Sequence, residues 1–204
     1  MNIVCLGDSI TAAGNVADAQ RWPILLQTQL ETWRPGRYVV YSRGVGGDTT
    51  AMGLERYKEG VLGLKPGLAI FMFGFNDANC REWMISKPRV SMAEFSANLY
   101  EMGVVAKKHG IRAVYGLNHP TGPGDGNQGD GRSYPKRMLA YNRAVRAVAR
   151  RLRAGVMDYP AYLRKQKIAL PTIMADYVHL NALGNQHLAD CAFAVVQAEL
   201  TKLD

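Results

Sequence analysis

The 204-residue chain is poor in cysteine, and the three it has, Cys5, Cys80 and Cys191, lie far apart. An odd, scattered set is neither a disulfide framework nor a zinc-ligand pattern. The chain is therefore read as cytoplasmic and without a bound metal. Long hydrophobic runs are also missing: nothing approaches the roughly 18 consecutive apolar residues that cross a membrane, so no span is expected. The opening Met1-Asn2-Ile3-Val4-Cys5-Leu6-Gly7-Asp8 carries no basic leader and its apolar run stops at Gly7. No conventional signal peptide is expected, with secretion left open for a chain whose leader was removed. Acidic residues are the other shortage. Seventeen Asp and Glu stand against 25 Lys and Arg, a net charge of +8. That balance favours anionic partners without specifying a fold. With no RNA-binding aromatic signature and no helix-turn-helix cue, a nucleic-acid partner is not expected.

What is present suits an ordinary globular protein: 48% apolar and 21% charged residues, enough chain to bury a core without staples. No linker or shift of composition divides it, so one domain over residues 1–204 is expected. Apolar runs at 2–6, Tyr38–Tyr41, Leu68–Phe73, Ile111–Leu117 and Ala154–Met157 read as strands. The run at 68–73 is the most apolar and is placed centrally. Helical periodicity covers Arg21–Trp33, a stretch from Thr49 or Thr50 to about Lys58, Ser91 to His109, Tyr134–Arg153 and Ala182–Lys202. Strands alternating with helices give a parallel sheet with helices on both faces. In such sheets ligands bind at the carboxyl ends of the strands. The loops that leave those ends begin at Gly7, Ser42, Gly74, Asn118 and Asp158.

Chemistry-bearing residues collect on these loops. Ser9 directly follows the first strand. A serine hydroxyl becomes a nucleophile only when a base takes its proton; alone, Ser9 reads equally as a helix-capping serine. Of four histidines, His109 sits at a helix end where a cation complements the dipole, and His187 lies inside the last helix. His119 follows the fourth strand and is a candidate for lining the cleft. His179 stands in a loop with Asp176 three residues earlier, close enough for the carboxylate to orient the imidazole. Two segments offer donors for a developing oxyanion: the backbone of Gly44-Val45-Gly46-Gly47-Asp48 and the Asn76 amide in Gly74-Phe75-Asn76-Asp77. Each also reads as plain turn chemistry.

Four segments in this order, Gly7-Asp8-Ser9-Ile10, Gly44-Val45-Gly46-Gly47-Asp48-Thr49-Thr50, Gly74-Phe75-Asn76-Asp77 and Asp176-Tyr177-Val178-His179-Leu180-Asn181, resemble the blocks of the SGNH, or GDSL-type, hydrolases. The resemblance implies a flavodoxin-like α/β/α sandwich with a five-stranded parallel sheet and a carboxylic ester hydrolase that needs no cofactor. It implies Ser9 as nucleophile, His179 as base and then acid, and Asp176 as its orienting partner. The implied oxyanion donors are the N–H groups of Ser9 and Gly47 and the Asn76 side chain. The α/β-hydrolase pattern is different, since no glycine stands two residues after Ser9. Ser42 departs from the family, many members of which carry Asn there, and this bears on the hydrogen bonds that support the second loop.

The expected substrates are small or short-chain esters, acetylated carbohydrate among them. The alternatives are a lysophospholipase or thioesterase with a longer acyl groove, and a non-catalytic module that binds anionic polymers. Phe75, Trp83 and Tyr177, with Arg81 and Met84, are candidates for a substrate pocket or for ordinary packing. Cys80 reads as an inert thiol. The glycine-rich stretch Thr121–Gly131 fails as a calcium loop, because Lys136 stands where a bidentate Glu is needed, and is read as a mobile rim beside the site. Arg143, Arg146, Arg150 and Arg153 form a stripe opposite the apolar face of their helix, which usually means a solvated surface.

Overall fold

The structure, a computed structural model, describes residues 1–80, 87–122 and 133–202. In chain order the strands are β1 (Asn2–Gly7), β2 (Val39–Gly44), β3 (Leu68–Met72), β4 (Arg112–Leu117) and β5 (Gly155–Asp158). The α-helices are α1 (Ser9–Ala12), α2 (Trp22–Trp33), α3 (Thr50–Glu55), α4 (Tyr57–Gly60), α5 (Phe75–Ala78), α6 (Met92–Lys108), α7 (Tyr134–Leu152), α8 (Tyr159–Lys165), α9 (Leu170–Ile173) and α10 (Ala182–Thr201).

All the strand pairs are parallel, in the order β2-β1-β3-β4-β5. β3 is central, as its unbroken apolar run requires: Leu68 to Met72 are at most 1% exposed. β1 is equally dry between Ile3 and Leu6. β2 is an edge, with Val39 46% exposed. Helices α2 and α10 pack on each other against one face, and α3, α6 and α7 pack against the other. This assignment follows from handedness. A right-handed crossover from β1 to β2 runs opposite in direction to those from β3 to β4 and β4 to β5, so their helices fall on opposite faces.

Local signals end the helices where expected. Ser91 caps α6 by accepting from Glu94 N, and Gly110 follows its end with φ of 71°. Thr49 caps α3, but the helix foreseen to Lys58 breaks at Arg56 into α3 and α4. β2 runs on to Gly44, beyond the expected Tyr41. α8 and α9 were not expected. They are 7 and 4 residues long, too short for periodicity to register.

Close approach decides two glycines. A Cβ on Gly44 would lie 2.1 Å from the Ala12 nitrogen, and one on Gly7 would lie 2.1 Å from Thr11 Oγ1 and 2.5 Å from the Met72 carbonyl oxygen. The ends of β1 and β2 therefore press directly on α1. Gly44→Ala is expected to lower stability by about 2 kcal/mol or more, since backbone is what must move. Gly46→Ala, where a Cβ meets nothing within 4 Å, stays within about 0.5 kcal/mol; urea unfolding midpoints of the two variants make the comparison.

Candidate active site

The chain winds one way from β1 to β2 and the other way from β3 onward, which opens a crevice beyond the carboxyl ends of β1 and β3. Ser9 enters it from β1. Asp8 caps α1, its Oδ1 accepting from Ile10 N at 2.9 Å, and this sets Ser9 as the first residue of a single helical turn. His179 Nε2 lies 3.0 Å from Ser9 Oγ across a separation of 170 residues. His179 Nδ1 lies 2.8 Å from Asp176 Oδ2.

The segment that carries both residues is a tight turn. A Met174–Leu180 bridge closes it, and Ala175 N donates to the His179 carbonyl at 2.8 Å. Asp176 Oδ1 accepts from Val178 N at 2.7 Å and His179 N at 2.6 Å. Partial burial raises the Asp176 pKa, but these two N–H groups and the His179 ring outweigh it and hold the carboxyl below its usual range. Beyond the turn, Asn181 caps α10 through Gly184 N, and Asn15 Nδ2 from the loop after α1 donates to the Leu180 carbonyl at 2.8 Å.

The other two loops meet each other through Asn76. Gly47 has φ of 83°, a conformation that favours glycine. Asn76, 9% exposed, donates from Nδ2 to the Asp48 carbonyl at 3.0 Å, which sets the plane of its amide beside the Gly47 turn. Arginines brace the turn. Arg56 bonds Asp48 Oδ2 at 2.7 Å and the Gly7 carbonyl at 3.0 Å, tying the loop to the end of β1. Arg89 Nη1 donates to the Gly47 carbonyl at 2.9 Å. Ser42, at the position where many SGNH hydrolases that the chain resembles carry Asn, makes a 3.4 Å hydrogen bond to the Thr11 carbonyl. Nothing in the local sequence marked Arg56 or Arg89 for this work.

A buried polar layer, equally unforeseen, lies beneath. Asp77 Oδ1 accepts from Thr50 N at 2.8 Å and Thr50 Oγ1 at 2.6 Å. Asp8 and Asp77 are both 0% exposed, and their Oδ2 atoms find no hydrogen-bond partner among the described residues. Burial pushes both carboxyls up, and Asp8 reaches about 7, with the charges of Asp77 and Asp48 adding to the rise and the Ile10 N–H opposing it. From α7, Tyr134 Oη donates to the Phe75 carbonyl, and Arg137 Nη1 to the Ala78 carbonyl at 3.0 Å. His119 does not line an open cleft. It is 0% exposed, and burial lowers its pKa to about 4.

Among the pocket candidates, Tyr177 is 46% exposed, whereas Phe75 is 2% exposed and packs on His119 and Tyr134. Trp83, Arg81, Met84 and the stretch 123–131 lie outside the described residues. Cys5, Cys80 and Cys191 are buried, and none is joined in a disulfide among the described residues. In the basic stripe Arg143, Arg150 and Arg153 are exposed, and Arg146 bonds Asp158 at 2.5 Å. Among the described residues no three His, Cys, Asp or Glu side chains gather as a metal site, and no helix is long and apolar enough to cross a membrane.

Asp8 and His119 act on stability with opposite signs. Between about pH 4 and 7 the folded chain keeps a proton on Asp8 that the unfolded chain has released, so this group lowers stability as pH rises through that window. The unfolded His119 binds a proton below 6.5 while the folded one stays neutral to about 4, so its contribution falls as pH drops through that range. Asp8→Asn keeps an acceptor for Ile10 and removes only the first effect. The Tm of this variant minus that of the parent is expected to rise from pH 4 to 7 and to level off above about pH 8, as read by thermal unfolding.

Comparison with known proteins bears on the fold and the family. The uncharacterized lipoprotein YqeF of Bacillus subtilis is 34% identical over 118 residues, 55% of this chain and 46% of that protein, so the match spans less than half of its length. Esterase TesA of Pseudomonas aeruginosa is 27% identical over 158 residues, 77% of this chain and 69% of TesA. In fold, a catalytic mutant of Axe2, an acetylxylan esterase from Geobacillus stearothermophilus, superposes with a TM-score of 0.80 at 20% identity, covering 96% of this chain and 93% of Axe2. The match to a family model extends over residues 5–187, and on that ground the chain belongs to the GDSL-like lipase/acylhydrolase family.

Proposed function

We propose that the chain, as a single catalytic domain over residues 1–204, is a serine esterase that hydrolyses small carboxylic esters through an acyl-enzyme. The observation that carries this reading is the position of His179, whose ring spans Ser9 Oγ at 3.0 Å and Asp176 Oδ2 at 2.8 Å. A neutral imidazole with Nδ1–H directed at a carboxylate presents an Nε2 lone pair to the hydroxyl, which is what a general base requires.

Ser9 Oγ attacks the ester carbonyl carbon as His179 Nε2 takes its proton. The carbonyl oxygen becomes an oxyanion, held by the N–H groups of Ser9 and Gly47 and by the Asn76 amide. The imidazolium, stabilised by Asp176, passes its proton to the departing alcohol. Water then attacks the acyl-serine, losing its proton to His179, which passes it to Ser9 Oγ as the serine leaves and the acid is released. Every transfer is a proton or acyl transfer between groups of the chain, the ester and water, so the reading calls for no redox or organic cofactor.

Short acyl groups, with acetylated carbohydrate as one substrate class, are favoured by likeness in fold to the acetylxylan esterase. Tyr177 is proposed to border the substrate, with Trp83 a candidate from sequence alone, while Phe75 packs beneath the site. The cytoplasmic placement draws support from three cysteines that form no disulfide among the described residues, and the lipoprotein relative argues for an extracytoplasmic one.

The test is hydrolysis of p-nitrophenyl acetate, butyrate and octanoate without added metal. Ser9→Ala is expected to lower kcat on the order of 10⁶-fold, and Asp176→Asn on the order of 10⁴-fold. Activity should fall as the acyl chain lengthens. A preference for octanoate would favour the lysophospholipase or thioesterase reading, and full activity in Ser9→Ala would remove the nucleophile from this account.

A further inference from the structure

The Ser9–His179–Asp176 reading leaves one fully buried histidine without a role. His119 follows β4, and its Nε2 lies 2.7 Å from the carbonyl oxygen of Val178. A carbonyl can only accept, so the proton of that hydrogen bond belongs to Nε2. At neutral pH burial keeps the ring uncharged, which leaves Nδ1 without a proton; that atom has no hydrogen-bond partner among the described residues.

The acceptor is what gives this contact its meaning. Val178 O belongs to the peptide group whose N–H is that of His179. That N–H donates to Asp176 Oδ1 at 2.6 Å. One peptide plane is thus held at both ends, by His119 on its oxygen and by the triad carboxylate on its nitrogen. The preceding carbonyl is held as well: Gly122 N donates to Tyr177 O at 2.7 Å. Two consecutive carbonyls of the turn that carries Asp176 and His179 therefore rest on the segment after β4.

That segment is itself rigidly seated. Asn118 exchanges backbone bonds with the Asn142 side chain, at 3.0 Å from its N–H and 2.8 Å to its carbonyl. Asn118 Nδ2 donates to the Phe73 carbonyl at 2.8 Å, at the root of the loop that carries Asn76. The His119 ring packs edge-on to Phe75 at 5.1 Å and to Tyr159 at 6.0 Å between centroids. The chain is continuous from the Asn76 loop, through Asn118 and His119, to the His179 turn.

We propose that His119 is a positioning residue for the catalytic histidine: its Nε2–H holds the 178–179 peptide in the one orientation from which the His179 ring meets Ser9 and Asp176 together. The proposal rests on the Ser9–His179–Asp176 reading. His119 touches none of the reacting atoms and acts only through the backbone of the turn. Loss of the donor leaves a buried carbonyl unsatisfied, and the turn relaxes toward another partner. A displacement of about 1 Å at a reacting group costs on the order of 10²-fold in rate, and it acts on the chemical step rather than on ground-state binding.

The experiment compares His119→Leu with His119→Gln. Their side chains are of similar size, but only Gln keeps an N–H donor. The expected result with p-nitrophenyl acetate is a kcat about 10- to 100-fold lower for His119→Leu, with KM within about twofold, and recovery by His119→Gln to within about fivefold of the parent. A purely structural histidine would lower Tm in both variants and leave kcat of the folded fraction alone. Unchanged kcat in His119→Leu, equal losses in both variants, or a change confined to KM would each overturn the proposal. Nitrogen-15 NMR of the parent protein gives an arm that does not depend on the variants folding: His119 must be the neutral Nε2–H tautomer at pH 7, and an Nδ1–H or charged ring would overturn the proposal. His179→Ala separates the two levels. If it is inactive while His119→Leu is not, the triad stands and the role of His119 falls; if it keeps full activity, the triad reading fails first.

Discussion

Around β1 the chain reverses the direction in which it winds, and the polar geometry depends on that reversal. β1 and β3 are neighbours in the sheet, yet the segments that leave them turn to opposite faces. Their carboxyl ends are left uncovered by any crossover, so Ser9 from one and Asn76 from the other share a crevice. The turn after β2 reaches the same place because β2 pairs with β1 on its far side, ending at Gly44 opposite Gly7. The close fit of α1 on Gly44 and Gly7 then leaves the serine little freedom.

Preorganisation here is largely a matter of backbone carbonyls. Those of Gly7, Gly47 and Asp48 are held by Arg56, Arg89 and Asn76, and those of Phe73, Phe75, Ala78 and Val178 by Asn118, Tyr134, Arg137 and His119. Side chains from distant elements thus fix the loops and the short helical turn that follow the strand ends. The arrangement lowers stability locally, because Asp8 and Asp77 are buried beside one another with oxygens that no described residue pairs. A site that trades local stability for fixed donors and acceptors is the usual place for such conflicts. The surrounding core, from Ile3 on β1 to Leu200 on α10, offsets them with a continuous apolar cluster.

The excess of positive charge divides into two kinds. Arg56, Arg89 and Arg137 point inward at carbonyls and carboxylates, and are part of the architecture around the crevice. Arg143 and Arg150 lie on the solvent face of α7, and Arg151 lies over the Tyr100 ring at 4.1 Å. A net charge therefore describes the surface less well than its distribution does.

Interactions near in sequence were legible without coordinates. Asp176 and His179 are three residues apart, so one turn of chain joins them. Ser91 and Gly110 mark the ends of α6, and the unbroken apolar run of β3 announces a strand covered on both faces. Local sequence also carried the order of elements and hence the parallel sheet. Tertiary structure alone decided what lies between them. The Ser9–His179 contact spans 170 residues, and the Arg56–Gly7, Arg89–Gly47, Asp77–Thr50 and His119–Val178 bonds span 49, 42, 27 and 59 residues. No periodicity or spacing encodes such pairs, because each depends on which strand ends become neighbours in the sheet. The residue types at the site follow from the chain's order, whereas their fixed geometry follows from the packing of elements distant in sequence.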